Sequence, residues 1–172
     1  MASLGHIAVG MAAGRAWATS RPARAMVSFA ALSMLPDVDV LGMAAGVPYG
    51  APLGHRGATH SLVMAAVLGL AFALLARGRG RRFLPTALVA AAVAASHGLL
   101  DAMTDGGRGV ALLWPFTTHR YFLPWRPIPV APIGAGFLSA EGLAVAGWEL
   151  VVFLPFFAYA LWPRAADGPM SR

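Results

Sequence analysis

A histidine and an aspartate one helical turn apart, inside a long apolar run, constrain this chain more than any other feature. The run extends from Phe83 to Met103 and carries Ala95-Ser96-His97-Gly98-Leu99-Leu100-Asp101-Ala102-Met103-Thr104 at its end. Four residues apart on a helix, His97 and Asp101 share one face. A neutral imidazole and a carboxylate so placed can bind one metal ion. An ionisable pair in an apolar segment also marks a functional site by default. The competing reading is a buried structural pair, and partners from elsewhere in the chain decide between the two.

The apolar setting is general. Of 172 residues, 58% are hydrophobic and 12% charged, against about 45–50% and about 25% in soluble domains. The mean hydropathy of +0.66 likewise predicts a membrane protein of one domain, residues 1–172. With no cysteine, a metal must bind through His, Asp, Glu, backbone or water. The 13 basic residues are all arginine and scattered in turns. They form no basic, aromatic-interleaved surface of the kind that binds nucleic acid, and they read instead as topology signals. The start, Met-Ala-Ser-Leu-Gly-His6, has no basic segment leading into a long apolar core, so no cleaved signal peptide is expected.

Five apolar runs predict an all-α integral membrane bundle of about four or five helices. The first, Ile7 to Gly14, and the second, Ala25 to Leu35, are both shorter than the ~20 residues of a straight span. The second is expected to stop at Pro36-Asp37-Val38-Asp39. Residues 40–60 are rich in Gly and Pro and predict a loop. The third run, Leu62 to Ala76, closes at Arg77-Gly78-Arg79-Gly80-Arg81-Arg82, and Phe83 to Met103 is the fourth. Residues 104–141 are rich in Gly, Pro and aromatics and predict an irregular segment at the headgroup level. Gly142 to Trp162, interrupted only by Glu149, is the last.

Arginine placement then predicts a topology. The Arg77–Arg82 cluster and Arg15, Arg21 and Arg24 mark two turns as cytoplasmic by the positive-inside rule. The opposite ends of these two antiparallel hairpins carry His6, Asp37, Asp39, His60, His97 and Asp101. Four separate segments thus bring metal-type ligands to one level, near the extracytoplasmic face.

A catalytic zinc takes three protein ligands and keeps one position for water. Six candidates exceed that number, so either two ions bind or some residues orient the others. Paired ions about 3.5–4 Å apart recur in phosphoester hydrolysis, and metal-activated water is the nucleophile. His55 and Arg56 precede His60, and a guanidinium matches phosphate bidentately. In isolation each piece has a plain alternative. His6 is a surface or capping residue, Asp37 and Asp39 end a helix, and His60-Ser61 starts one. His119 and Asp105 gain no partners. Glu149 is expected to pair with an arginine or to support the site.

These blocks resemble the LexA-regulated, membrane-bound metal-dependent hydrolases of bacterial inner membranes. The resemblance runs through Gly5-His6, Leu35-Pro36-Asp37-Val38-Asp39, Gly54-His55-Arg56-Gly57-Ala58-Thr59-His60-Ser61, Ser96 to Thr104 and Gly109 to Phe116. It covers about two-thirds of the chain and implies a reaction class without a particular substrate. A looser similarity links the order His6, Asp37 or Asp39, His60, His97-x-x-x-Asp101 to the zinc-dependent phospholipase C and single-strand nuclease superfamily. The chain lacks that superfamily's second His-x-x-x-Asp/Glu pair and its ligating amino terminus, which implies one or two zinc ions rather than three.

The expectation is a hydrolase of a phospholipid or lipid-linked phosphoester. His6, His60, His97, Asp101 and at least one of Asp37 and Asp39 would hold the metal. A free carboxylate of that pair would serve as base, and His55 and Arg56 would meet the substrate anion. The rivals are a transporter or proton relay using the same carboxylates, a metal-dependent membrane peptidase or amidase, and a metal-stabilised structural protein. Visible repeats would favour the first, and none is found. The usual zinc-protease pair of histidines around a glutamate is also missing.

Overall fold

The computed structural model describes residues 3–18, 22–77 and 82–163, and its described residues are helical with no strand beyond two isolated bridges. In chain order the helices are α1 (Ser3–Trp17), α2 (Pro22–Met34), α3 (Val40–Ala44), α4 (Leu62–Ala76), α5 (Phe83–Ala102), α6 (Ala140–Val152) and α7 (Leu154–Leu161). α1 pairs with α2, and α4 with α5, as the two hairpins predicted from the apolar runs. Parts of both basic turns, with Arg21, Arg79 and Arg81, lie outside the described residues.

The second run is longer than its sequence suggests. A 3₁₀ turn, Leu35–Asp39, carries α2 through Pro36 into α3, so Pro22–Ala44 forms one rod of 23 residues. Pro36 is tolerated because it occupies the first positions of that turn, where no backbone N–H is needed. The loop expected over 40–60 therefore begins only after Ala44. The last run departs the other way, breaking at Phe153 into α6 and α7, which meet at 64°. Pro155, at the start of α7, removes an N–H that a continuous helix would use. Pro22–Ala44 and Phe83–Ala102 are long and apolar enough to cross a bilayer, and the bent α6–α7 pair makes a third if it is one broken span rather than a re-entrant loop.

Large and small side chains are sorted as lipid, not water, would sort them. α4 buries Ala65, Gly69 and Ala73 against α5, while Val67, Leu70 and Leu74 face outward. Small residues let helix backbones approach, as in membrane bundles. In α1, a Cβ on Gly10 would lie 2.6 Å from the Cα of Ala30, and one on Gly14 would lie 2.5 Å from the Ala25 carbonyl oxygen. Two small clusters complete the interior, Phe29, Leu32, Ala90 and Val93 between the hairpins, and Ala8, Ile128 and Phe153 under the irregular segment.

Glu149, expected to pair with an arginine or to support the site, has no arginine bonded to it among the described residues. It is buried in α6, and its Oε2 accepts hydrogen bonds from the backbone N–H groups of Leu4 (2.7 Å) and Gly5 (3.1 Å). Those are free donors of the first turn of α1, and a carboxylate satisfies both their bonding and the helix dipole. This clamp sets the depth of His6, the next residue.

The irregular segment closes the end of the bundle. Leu62 N–H donates to Leu112 O, Ala111 N–H to Arg56 O and Leu123 N–H to Ala102 O. Phe116 and Trp125 stay exposed at its outer edge. Gly10→Val should drive α1 and α2 apart and destabilise the protein by about 1–3 kcal/mol, read as a lower unfolding temperature in detergent.

Candidate metal centre

Four segments deliver side chains to one point at the end of the bundle away from the described basic residues Arg15, Arg24, Arg77 and Arg82. α1 brings His6 in its first turn, and the 3₁₀ turn after α2 brings Asp37 and Asp39. A second 3₁₀ turn, Ala58–His60, brings His60, with His55 and Arg56 just before it. α5 brings His97 and Asp101. His6, His97, Asp101 and Arg56 are all 0% exposed.

The innermost group is His60, His97, Asp37 and Asp101, each offering one ligand atom within 4.8 Å of the other three. His97 Nε2 lies 3.0 Å from His60 Nε2 and 3.4 Å from Asp37 Oδ1. His60 Nε2 lies 3.5 Å from both Asp37 Oδ1 and Asp101 Oδ2. A tetrahedral ion with bonds of about 2.0–2.1 Å has ligand–ligand edges of about 3.3–3.4 Å. These four separations match the edges around one zinc-sized ion.

Hydrogen-bond accounting points the same way. Both oxygens of Asp37 and of Asp101 are buried without a hydrogen-bond partner among the described residues. Buried carboxylates normally carry several such bonds, and leaving them bare is costly. Three carboxylates in this cluster face a single arginine, so a further cation is what the site requires. The residues present fit a metal.

The supporting bonds decide which ring nitrogen faces the ion. Ser33 O lies 2.6 Å from His97 Nδ1, which assigns the proton there and leaves Nε2 as the free ligand. Asp39 Oδ2 lies 3.2 Å from His60 Nδ1 and accepts from Thr59 Oγ1 at 2.6 Å. Asp39 Oδ1 lies 2.7 Å from His55 Nδ1. Asp39, His55 and His60 form a second ligand-like group. Because His60 Nε2 already belongs to the first, Asp39 is better placed to orient the two imidazoles, and Asp37 to touch the ion. Burial opposes a charge on His60, but Asp101, Asp37 and Asp39 outweigh it and push the imidazole up to about 10. In the metal-free protein a proton thus takes the cation's place.

His6 lies outside both groups. Its ring stacks on His97 with centroids 3.7 Å apart, and its Nε2 stands 3.4 Å from Asp101 Oδ1. Arg56 does not reach toward an opening. Its Nε lies 2.9 Å from Asp101 Oδ2, and its Nη1 donates to Thr104 Oγ1 (2.9 Å) and Gly106 O (3.1 Å). It holds this inward course from a left-handed backbone, φ 60°, a conformation that costs a non-glycine residue about 1–3 kcal/mol and clusters at functional sites. His119 and Asp105 are elsewhere, His119 against Tyr121 and Asp105 accepting from Val130 N–H.

Several supporting residues were not assigned from sequence. Ser33 and Thr59 act through hydrogen bonds that no spacing announces. Gly98 had a readable signal, a glycine inside a helical pattern. A Cβ there would collide with the His60 carbonyl oxygen, so only glycine lets α5 approach the 3₁₀ turn closely enough for His60 and His97 to meet.

Apolar helices that enclose a histidine–aspartate cluster define a helical membrane protein with a metal-type centre. The chain belongs to the YdjM inner membrane protein family, whose profile matches residues 1–166. It is also 43% identical over 141 residues to the inner membrane protein YbcI of Escherichia coli (strain K12), spanning 78% of this chain and 79% of that protein. No solved structure matches the chain. Membership in an inner membrane family agrees with the apolar helices and with the family resemblance drawn from the motif blocks.

Metal must displace the His60 proton, so affinity should rise with pH. Zinc titrations between pH 6 and 8, below the raised value of about 10, should tighten about tenfold per pH unit for one displaced proton. Calorimetry in buffers of different ionisation enthalpy counts the protons released.

Proposed function

We propose that this protein is a multi-pass metal-dependent hydrolase that cleaves a phospholipid or another lipid-linked phosphoester near the extracytoplasmic face of the inner membrane. The observation that carries this reading is the convergence of one ligand atom each from His60, His97, Asp37 and Asp101 within 4.8 Å of one another. Neither oxygen of Asp37 accepts a hydrogen bond, and Asp101 is paired only with Arg56 and the imidazoles of His6 and His60 among the described residues. A zinc ion is the preferred occupant. When bound, such an ion would acidify a water and polarise a phosphoryl oxygen.

The chain's own residues would do the rest. Ser33 and Asp39 hold His97 and His60 in the tautomers that ligate. Arg56 anchors Asp101 and offsets its charge, a positioning role in place of the substrate contact expected from sequence. His55, with its Nδ1 proton on Asp39, presents Nε2 as the basic atom, so the general-base role expected of a free carboxylate falls to this histidine–aspartate pair. The orientation follows from Arg15, Arg24, Arg77 and Arg82 at the opposite end. A site enclosed by apolar helices and an aromatic-rich cap supports a lipid as the substrate.

Elemental analysis of detergent-purified protein, with a screen of labelled phospholipids and lipid-linked phosphoesters, tests the reading. Wild type should hold zinc and turn over a phosphoester, while His97→Ala should lose both. His55→Gln should keep the metal and lose about 10²–10⁴-fold in turnover. Equal metal content in wild type and His97→Ala sinks the centre. A metal-loaded wild type inert on the whole panel sinks the enzyme.

A further inference from the structure

A groove on the outer side of the same loop is basic, and no carboxylate lines it. Its volume is about 590 Å³, and Arg108, Trp114, Thr118, His119 and Arg120 contribute to its wall. That size suits a small ligand, since such sites run to about 300–1,000 Å³.

Two guanidinium groups are gathered here with no carboxylate at ion-pair distance among the described residues, the buried Asp39 acting on Arg120 only from farther off. Those of Arg108 and Arg120 lie 5.8 and 5.7 Å from the centroid of the Tyr49 ring. Arg120 is fixed by carbonyl acceptors, its Nη1 donating to His55 O (2.9 Å) and its Nη2 to Tyr49 O (3.1 Å) and Ala51 O (3.2 Å). Carbonyls hold its position and leave its charge in place. None of the ion pairs among the described residues uses Arg108 or Arg120. Burial draws the Arg120 guanidinium below its ordinary value, and Arg108 adds to this against the opposing effect of Tyr49. Bringing two like charges together is unfavourable unless an anion joins them.

The surroundings indicate which anion. Arg108 and His119 are exposed, held only by ring contacts with Tyr49 and Tyr121. Phe116, 85% exposed, and Trp125, 69% exposed, sit on the same irregular segment, as aromatics do at the headgroup level. We propose that the groove binds a phosphate-bearing anion, the headgroup of an anionic lipid, with Arg108 and His119 closing on the phosphate and Arg120 as the fixed cation behind it. The proposal rests on the inner membrane setting and not on turnover. Through Arg120 and the His55 carbonyl, an occupied groove touches the backbone of the metal centre.

The test uses the full chain in an uncharged detergent, with thermal unfolding followed against added ligand. The ligands are short-chain phosphatidylglycerol, short-chain phosphatidylcholine and inorganic phosphate. Phosphatidylglycerol should stabilise wild type, and the Arg108→Gln/His119→Gln double variant should need about tenfold more of it. Metal content should be unchanged in that variant, which separates this site from the metal centre. Arg126→Gln, outside the groove, should behave as wild type. A double variant within about twofold of wild type overturns the site, as does equal stabilisation by phosphatidylcholine. Stabilisation by inorganic phosphate alone, lost in the double variant, upholds the anion site and overturns the lipid as its occupant.

Discussion

Carboxylates placed where neither water nor backbone can satisfy them are the constraint on which the rest of this structure depends. Asp37 and Asp101 come from different helical segments and meet in the apolar end of the bundle, Asp37 with no hydrogen-bond donor and Asp101 with only the Arg56 guanidinium and nearby imidazoles against it. Such an arrangement is unfavourable by itself. It persists because Arg56 and His60 bring positive charge inward, and because the spacing leaves room for a metal ion. The polar centre is then a fastening between two helical hairpins that otherwise touch through alanine and glycine.

Much of the surrounding architecture follows from holding that centre. Glu149 fixes the start of α1 and hence His6. Gly98 lets the 3₁₀ turn sit on α5, and Ser33 crosses from α2 to set His97. The loop carrying His55 and Arg56 is braced from outside by Arg120, which bonds three of its carbonyls. A small membrane protein without a broad apolar core against water thus obtains a unique end structure from polar bonds. Those bonds are strong here because little water competes for them.

The helices and most of the cluster were legible in the sequence. The α4 and α5 runs are readable almost to the residue, since continuous apolar character ends in arginine on one side and polar motif on the other. Proline was harder. Pro36 reads as a stop yet sits inside a continuous rod, while the last run reads as interrupted only by Glu149 yet bends sharply at Pro155. Both prolines occupy the first positions of a helical turn, and whether the helix before each continues in line or bends is decided by packing that local sequence does not show. Of the two roles expected of Glu149, an arginine partner and support of the site, the first is not found among the described residues. The second takes a form the composition does not mark, a carboxylate on the free helix start next to His6.

By itself, the sequence determined that this is an all-helical membrane chain with histidines and aspartates at one end of its hairpins. Periodicity, arginine placement and residue type are local properties. Tertiary structure alone decided the division of labour, with Asp37 facing the ion position and Asp39 behind the imidazoles. It also turned Arg56 inward and left Arg108 and His119 to face the groove. Ring tautomers, ligand spacing and charge pairing arise only when distant segments share a few ångströms, so His97 and Asp101 acquire their partners through the fold.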